Sequence, residues 1–326
     1  MRNRLFRRTQ KQRFNLIYII MTIIRKKKIV VIGSCNTDMV IKTSRLPIPG
    51  ETILGGEFMM NPGGKGANQA VAVSRLGGDV TFLCKTGNDM FGAQSVELYK
   101  SEGIDATYIF RDSESPSGVA LITVDMNGEN SIVVASGANN HLSSDDVIKA
   151  KDVIESADIL QMQLEIPMQT VEYAARIAHA KGVKVILNPA PAPASPLSDE
   201  LLKNVDIIIP NVTETGIISG KAVTDYQSAV IAADIIASKG VETIIITMGS
   251  KGAFIKDGDA YYEVPANKVQ AVDTTAAGDT FCGALCVGLS ENMELKSAVE
   301  FAGKASAISV TRMGAQASVP YRDEIK

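Results

Sequence analysis

From residue 143 onward the chain repeats one pattern: a helix-like segment, then a short β-branched run with no polar side on either face. VKVIL (183–187) and TIIIT (243–247) are the clearest such runs. A strand that is apolar on both faces must be covered on both, and parallel strands joined through helices achieve this. Helices are predicted over 143–156, 168–180 and 223–238, and strands over ADILQMQ, VKVILNPAP, VDIIIPN and ETIIITMGS. A hairpin, GAFIKDGDAYYEV, and two apolar helices, 277–290 and 294–310, close the chain.

The first half keeps the rhythm less strictly. KKIVVIGS (27–34) and DVTFLCKTG read as strands, and NQAVAVSRLG (68–77) and DMFGAQSVELYKSEG read as helices. Residues 37–60 and 106–136 contain no helical pattern. They carry strand-like pieces such as ATYIFR, SGVALITVD and ENSIVVA, with an Asn127-Gly128 turn. The expected fold is a doubly wound, three-layer α/β/α domain with a mostly parallel central sheet. A small β-sheet lid would be built from about 37–60 and 106–136. The domain spans 27–326, and its ligands should bind beyond the carboxyl ends of the strands.

Residues 1–26 form a basic N-terminal extension. Residues 1–28 hold ten Lys or Arg and no acid, which leaves 23 basic against 36 acidic residues in 29–326, a net of −13. An acidic body disfavours nucleic acid as a partner, although local backbone donors can still hold a small anion. The apolar run Leu16 to Ile24 is too short to span a bilayer, so no stable membrane insertion is expected. The leader reads as disordered or as a misassigned start, with Met21 the plausible true one; a transit peptide or surface anchor is the alternative. Cys35, Cys84, Cys282 and Cys286 are expected to be buried free thiols, which fits a reducing, cytoplasmic location. His141 and His179 read as surface or packing residues.

AVDTTAAGDTF (271–281) is the stretch richest in chemistry. Ala276, Ala277 and Gly278 let a backbone come close to a ligand, and the apolar helix that follows would aim its free N–H groups there, as an anion hole. Asp279 sits in the first turn of that helix. It either deprotonates a hydroxyl that attacks a phosphorus or simply caps the helix, and position alone does not choose. Other polar residues recur at strand ends: Asn36 and Asp38, Gly64, Lys65 and Asn68 in NPGGKGANQA, Glu165, Asn211 and Glu214, and Thr247 with Gly249. Amides and carboxylates of this kind suit a polyol. VVIGSCNTD lacks the dinucleotide fingerprint, and GGKGAN has Gly where a P-loop needs Ser or Thr after Lys.

PGGKGANQAVAVSRLG and VDTTAAGDTF resemble the two signatures of the carbohydrate kinase family that includes ribokinases, fructokinases, adenosine kinases and phosphofructokinase-B types. GSCNTD, QLE, NPAPA, PNVTE, TMGSKG and VTRMGAQASVP resemble the ribokinase branch, from about residue 27 to the end. The resemblance implies ATP-dependent phosphorylation of D-ribose at O5, giving D-ribose 5-phosphate and ADP, with Asp279 as the base and Ala276, Ala277 and Gly278 as the anion hole. It implies that Asn36, Asp38, Gly64, Lys65, Asn68 and Glu165 hold ribose. Asn211 and Glu214 would lie near the phosphates and Mg2+, partly through water, while Thr247, Gly249 and Gly252 would line the nucleotide site. A monovalent cation, preferably K+, would sit among Asp273, Thr275, Val310, Met313, Gly314 and Ser318. A homodimer through the lid is also implied. Two departures stand out: Ala276 where the family commonly has Gly, and Gly303 where many ribokinases place Asn near the adenine. Rival readings are a sister kinase for 2-deoxyribose, fructose or a nucleoside, and a non-catalytic sugar sensor, for which loss of Asp279 would be the expected sign.

Overall fold

The computed structural model describes residues 26–326; the expectations for the leader and for Met21 lie outside the described residues. The chain runs β1 (Lys28–Ile32), β2 (Asn36–Lys42), β3 (Glu57–Gly63), α1 (Lys65–Arg75), β4 (Asp79–Gly87), α2 (Met90–Ser101), β5 (Ile109–Asp112), β6 (Gly118–Val124) and β7 (Asn130–Ala135). It continues through α3 (Ser144–Lys149), α4 (Lys151–Glu155), β8 (Ile159–Met162), α5 (Met168–His179), β9 (Lys184–Leu187), α6 (Asp199–Leu202), β10 (Ile207–Ile208), α7 (Val212–Ser219) and α8 (Tyr226–Ala237). β11 (Thr243–Thr247), β12 (Ala253–Asp257), β13 (Ala260–Val264), α9 (Ala277–Ser290) and α10 (Leu295–Ser309) complete it.

Nine strands form the central sheet in the order β13-β12-β11-β10-β9-β8-β1-β4-β5. β5 through β11 in that order pair in parallel, and the two antiparallel pairs, β11 with β12 and β12 with β13, lie at one end. The two-faced apolar strands explain the layers. In β1, Val30 and Ile32 pack into a core shared with Val147, Val171, Leu201 and Ala232 from the helices α3 to α8. Ile29 and Val31 point the other way, into a core shared with Val71, Tyr99, Leu285 and Ala302 of α1, α2, α9 and α10.

Three residues after β1 the chain leaves this sheet and enters a smaller one, ordered β3-β2-β6-β7. Its outer pairs are antiparallel and the central pair, β2 with β6, is parallel. Asn36 and Asp38 therefore lie where the lid springs from the domain.

The structure differs from the sequence reading in several elements. ATYIFR was expected among the lid strands, yet Ile109–Asp112 pairs in parallel with β4 at the edge of the central sheet. Its faces explain this: Ile109 packs against one core and Tyr108 and Phe110 against the other. The helix expected over 143–156 is two short ones, because the N–H of Ala150 is shared between Asp146 O and Val147 O at the joint. VDIIIPN contributes only Ile207 and Ile208 to the ladder, as Pro210 has no N–H to donate. α6 and α7 are additional short helices, each started by a side-chain cap, Ser198 and Asn211.

Candidate active site

α9 begins without a side-chain cap. Its N-cap residue, Ala276, is in the left-handed region at φ 57°, a conformation that costs a non-glycine residue about 1 kcal/mol or more. The N–H of Ala277 is turned back onto Thr274 O, but Gly278 and Asp279, inside the first turn, have no intrahelical acceptor. The helix thus opens with unsatisfied donors and the positive end of its dipole.

Asp279 is buried. Its Oδ2 accepts from Asn68 Nδ2 at 2.9 Å and its Oδ1 from Gln69 Nε2 at 2.9 Å. Both donors come from α1, which crosses α9 with almost no gap. A Cβ on Gly283 would stand 2.6 Å from Ala72 Cβ and 2.8 Å from Gln69 O, so glycine at 283 permits the approach. Asn68 Oδ1 is buried and has no hydrogen-bond partner among the described residues. One amide thus holds the carboxylate with its nitrogen and keeps an acceptor for something else.

Beyond Asn68 lies a cluster of acids. Glu165 Oε2 accepts from the Lys65 backbone N–H at 3.0 Å and from the Ser34 hydroxyl. Asp38 is pushed up to about 6 by its burial, then by the charges of Glu165 and Asp279. Asn36 Oδ1 accepts from Asn139 Nδ2 at 2.7 Å, which orients its amide. Gly64 is the N-cap of α1, at φ 89°. Lys65 lines a small cleft together with Asn211, Glu214, Thr274, Ala276, Gly278 and Asp279. Burial opposes the charge on Lys65, yet the fields of Asp279, Glu165 and Glu214 win and raise its pKa. Glu214 is raised by burial, with Asp279 adding to the rise and the Asn211 N–H and Lys65 resisting it.

A second, more apolar cleft of ≈ 480 Å³ adjoins the first. Thr247, Gly249, Gly252, Val299, Gly303 and Val310 line it, and Ala277 and Gly278 face both clefts. The volume lies in the range of small-molecule sites. At Gly303 a Cβ would meet only Asn267 Nδ2, at 3.6 Å, so the space of the missing side chain is open.

Asp273 joins the loop before α9 to the segment after α10. Its Oδ1 accepts from Thr275 N and its Oδ2 from Gly314 N, both at 2.9 Å. Burial pushes Asp273 up, and these hydrogen bonds outweigh it to hold the carboxyl below its ordinary value. Val310 O already accepts from Val272 N and Asp273 N, at 2.7 and 3.2 Å. Ser318 is buried, while Met313 is half exposed. An anionic carboxylate between two loops of carbonyls is a donor set that fits a weakly hydrated monovalent cation, although Val310 O has less to offer than the others. Among the described residues no group of three or more His, Cys, Asp or Glu could hold a metal. A divalent ion here would depend chiefly on phosphate oxygens and water, as Mg2+ commonly does.

Sequence reasoning missed Gln69, Asn188, Gln161 and Gln163 behind Asp279, and Asn267 in the larger cleft. The neighbourhood of Asn68 and the ends of ILQMQLE and VILNPAP were the available signals. All four cysteines are buried free thiols. His141 pairs with Asp112 and His179 with Asp206, both away from these clefts.

An open doubly wound sheet, an uncapped helix start between two clefts and a buried acid beside it define a phosphoryl-transfer enzyme for small molecules. Residues 26–322 match the family described as pfkB family carbohydrate kinase, and the chain belongs to that family. It is 48% identical over 299 residues to a ribokinase of Haemophilus influenzae, covering 92% of this chain and 97% of that protein. A deoxyribokinase of Salmonella typhi is 38% identical over 292 residues, with 90% of this chain and 95% of that protein covered. The structure of an Arabidopsis thaliana ribokinase complexed with ribose and ATP superposes with a TM-score of 0.86 at 31% identity, covering 92% of this chain and 98% of that one.

Proposed function

We propose that the chain transfers the γ-phosphoryl group of ATP to O5 of D-ribose. The observation that carries this reading is the placement of Asp279. It lies in the first turn of an uncapped helix whose opening residues face both clefts, within a chain close in sequence to ribokinases. ATP lies in the larger cleft with its phosphates over the start of α9, and ribose lies under the lid among Asn36, Asp38, Gly64, Asn68 and Glu165. Asp279 takes the proton of the 5-hydroxyl as its oxygen attacks phosphorus in line with the departing ADP. The N–H groups from Ala276 to Gly278 receive the charge that spreads over the transferring oxygens, with that of Ala277 exchanging its bond to Thr274 O for the phosphoryl group.

Lys65, expected beside ribose, lines the same small cleft as Asn211 and Glu214 and would meet the phosphates where the two substrates join. Glu214 would hold Mg2+ through water, and that ion would supply charge neutralisation for the phosphates. Asp273 and Thr275, with the carbonyls of the segment after α10, would hold K+, which would add positive field to the anion hole. The lid keeps water from the transferring group, since water would otherwise take the hydroxyl's place. Residues 27–326 form the catalytic unit, working as a homodimer paired through the lid in the cytoplasm. Among the described residues no helix is long and apolar enough to cross a membrane.

The test is ADP release from Mg-ATP by purified protein with D-ribose, 2-deoxyribose, fructose or adenosine, each in K+ and in Na+. Ribose should give the highest kcat/KM, and K+ should raise it. Asp279→Asn should lower kcat by about 10²–10⁴, the span typical of a positioned base, while ATP still binds. A preference for 2-deoxyribose would move the acceptor assignment to the deoxyribokinase relative; unchanged kcat in Asp279→Asn would remove Asp279 as the base.

A further inference from the structure

Behind Asp279 lies a chain of buried amides that the reaction itself does not use. Gln69, on α1, is fully buried, and all of its hydrogen-bonding positions are taken. Its Nε2 donates to Asp279 Oδ1 at 2.9 Å and to Asn188 Oδ1 at 3.1 Å. Its Oε1 accepts from Gln161 Nε2 at 2.8 Å and from Gln163 Nε2.

The direction of this chain is fixed at both ends. Asn188 Nδ2 donates to Ile209 O at 2.9 Å. A backbone carbonyl can only accept, so Asn188 must turn its oxygen toward Gln69. At the other end Cys286 Sγ–H donates to Gln161 Oε1 at 3.1 Å. Burial raises the Cys286 thiol well above its usual range, so it keeps its proton and remains a donor. With Gln161 oxygen toward the thiol, its nitrogen faces Gln69. With an acceptor facing it on one side and two donors on the other, the Gln69 amide has only one satisfied orientation, and that orientation aims an N–H at Asp279. A flip would set Gln69 oxygen against both Asp279 and Asn188 and its nitrogen against Gln161 and Gln163, leaving four buried partner groups unsatisfied, at about 1–3 kcal/mol each.

We propose that Gln69 is the positioning residue of the phosphoryl transfer, held in donor orientation by Gln161 and Gln163 so that Asp279 presents its carboxylate to the acceptor hydroxyl at a fixed angle. This rests on the reading of Asp279 as the base. Gln69 lies behind the carboxylate, so its contribution belongs to the turnover step and not to the affinity for either substrate.

The experiment compares wild type with Gln69→Met and Gln161→Met, both of similar volume and both without the amide. Wild-type turnover with ribose and the other three acceptors comes first and tests the functional reading separately. The variants are then compared on whichever acceptor is used best. Gln69→Met should lower kcat ten- to hundredfold with KM for acceptor and for ATP within about twofold, because the base loses its fixed orientation while no contact to either substrate is removed. Gln161→Met, which does not touch Asp279, should lower kcat about three- to tenfold in the same manner. The double variant should be no slower than Gln69→Met alone, the non-additivity expected of one chain. If Gln69→Met does not fold, Gln161→Met and Gln163→Met decide the matter on the same readout. Wild-type kcat in a folded Gln69→Met, KM rising in step with the loss, or independent effects that simply add would overturn the positioning role. No turnover by wild type with any acceptor would overturn both the role and the reading beneath it.

Discussion

Asp38 shows how one residue's surroundings set a pH response. Its carboxyl titrates at about 6 in the folded chain against an ordinary value of 3.8, because it is buried and faces Glu165 and Asp279. Between those values the folded protein binds more protons than the unfolded chain, so stability falls as pH rises through this window and the full cost is present above it. Asp38→Asn should therefore raise the melting temperature at about pH 8 and lose that advantage near about pH 4. If Asp38 also accepts hydrogen bonds from ribose hydroxyls, wild-type KM for ribose should rise as pH drops below about 6, and KM in Asp38→Asn should be high and flat. Thermal scans and initial rates across this range check both; a wild-type KM for ribose that does not move would remove Asp38 from the sugar site. Asp38 was legible in the sequence as a polar residue after a strand. Its raised pKa was not, because Glu165 and Asp279 reach it only through the fold.

At the scale of elements, the site depends on how closely α1 and α9 approach. Gly283 faces Ala72 and the Gln69 carbonyl at distances no Cβ could tolerate. Gly283→Val should push the helices apart, cost about 1–3 kcal/mol of stability and lower kcat by loosening Asn68 and Gln69 on Asp279. Denaturant unfolding and turnover read the two effects, and a stable, fully active Gly283→Val would contradict the coupling of this packing to the site. The major elements were visible beforehand because their signals are local: TIIIT and VKVIL can only be covered strands, and FCGALCVGL can only be a buried helix. β5 was misplaced because ATYIFR opens a run of strand-like pieces linked by polar turns, and only its packing partners on both faces show that it belongs to the central sheet. The amide chain from Cys286 to Asp279 was invisible for a related reason. It joins residues more than 200 positions apart, and Gln161 and Gln163 look like ordinary strand polarity until β8 is laid beside α1 and α9.

Among the described residues, the lid carries an exposed apolar face. The lid register pairs Met39 with Met60 and Leu121, Ile41 with Phe58, and Leu121 with Val133. Strand alternation places these residues on one face and Asp38, with its partners Asn61 and Ala120, on the other. Ile41, Phe58, Met60, Leu121 and Val133 are 42–66% exposed, and every residue of the edge strand β7 is exposed. A contiguous apolar sheet face beside an open edge favours pairing with a second copy. In a two-fold interface each substitution acts twice. Removing one buried leucine at about 1.5–3 kcal/mol per copy thus costs about 3–6 kcal/mol, or about 10²–10⁴ in dimer affinity. Leu121→Glu should accordingly sediment as a monomer at concentrations where wild type is a dimer. Because the opposite face of the same sheet carries Asp38, loss of the partner should loosen the sugar side of the lid, raising KM for ribose severalfold with little change in KM for ATP. Sedimentation velocity with parallel kinetics tests both parts. A monomeric wild type would remove the dimer, while a monomeric Leu121→Glu with unchanged KM for ribose would keep the dimer and separate it from the lid's hold on the sugar.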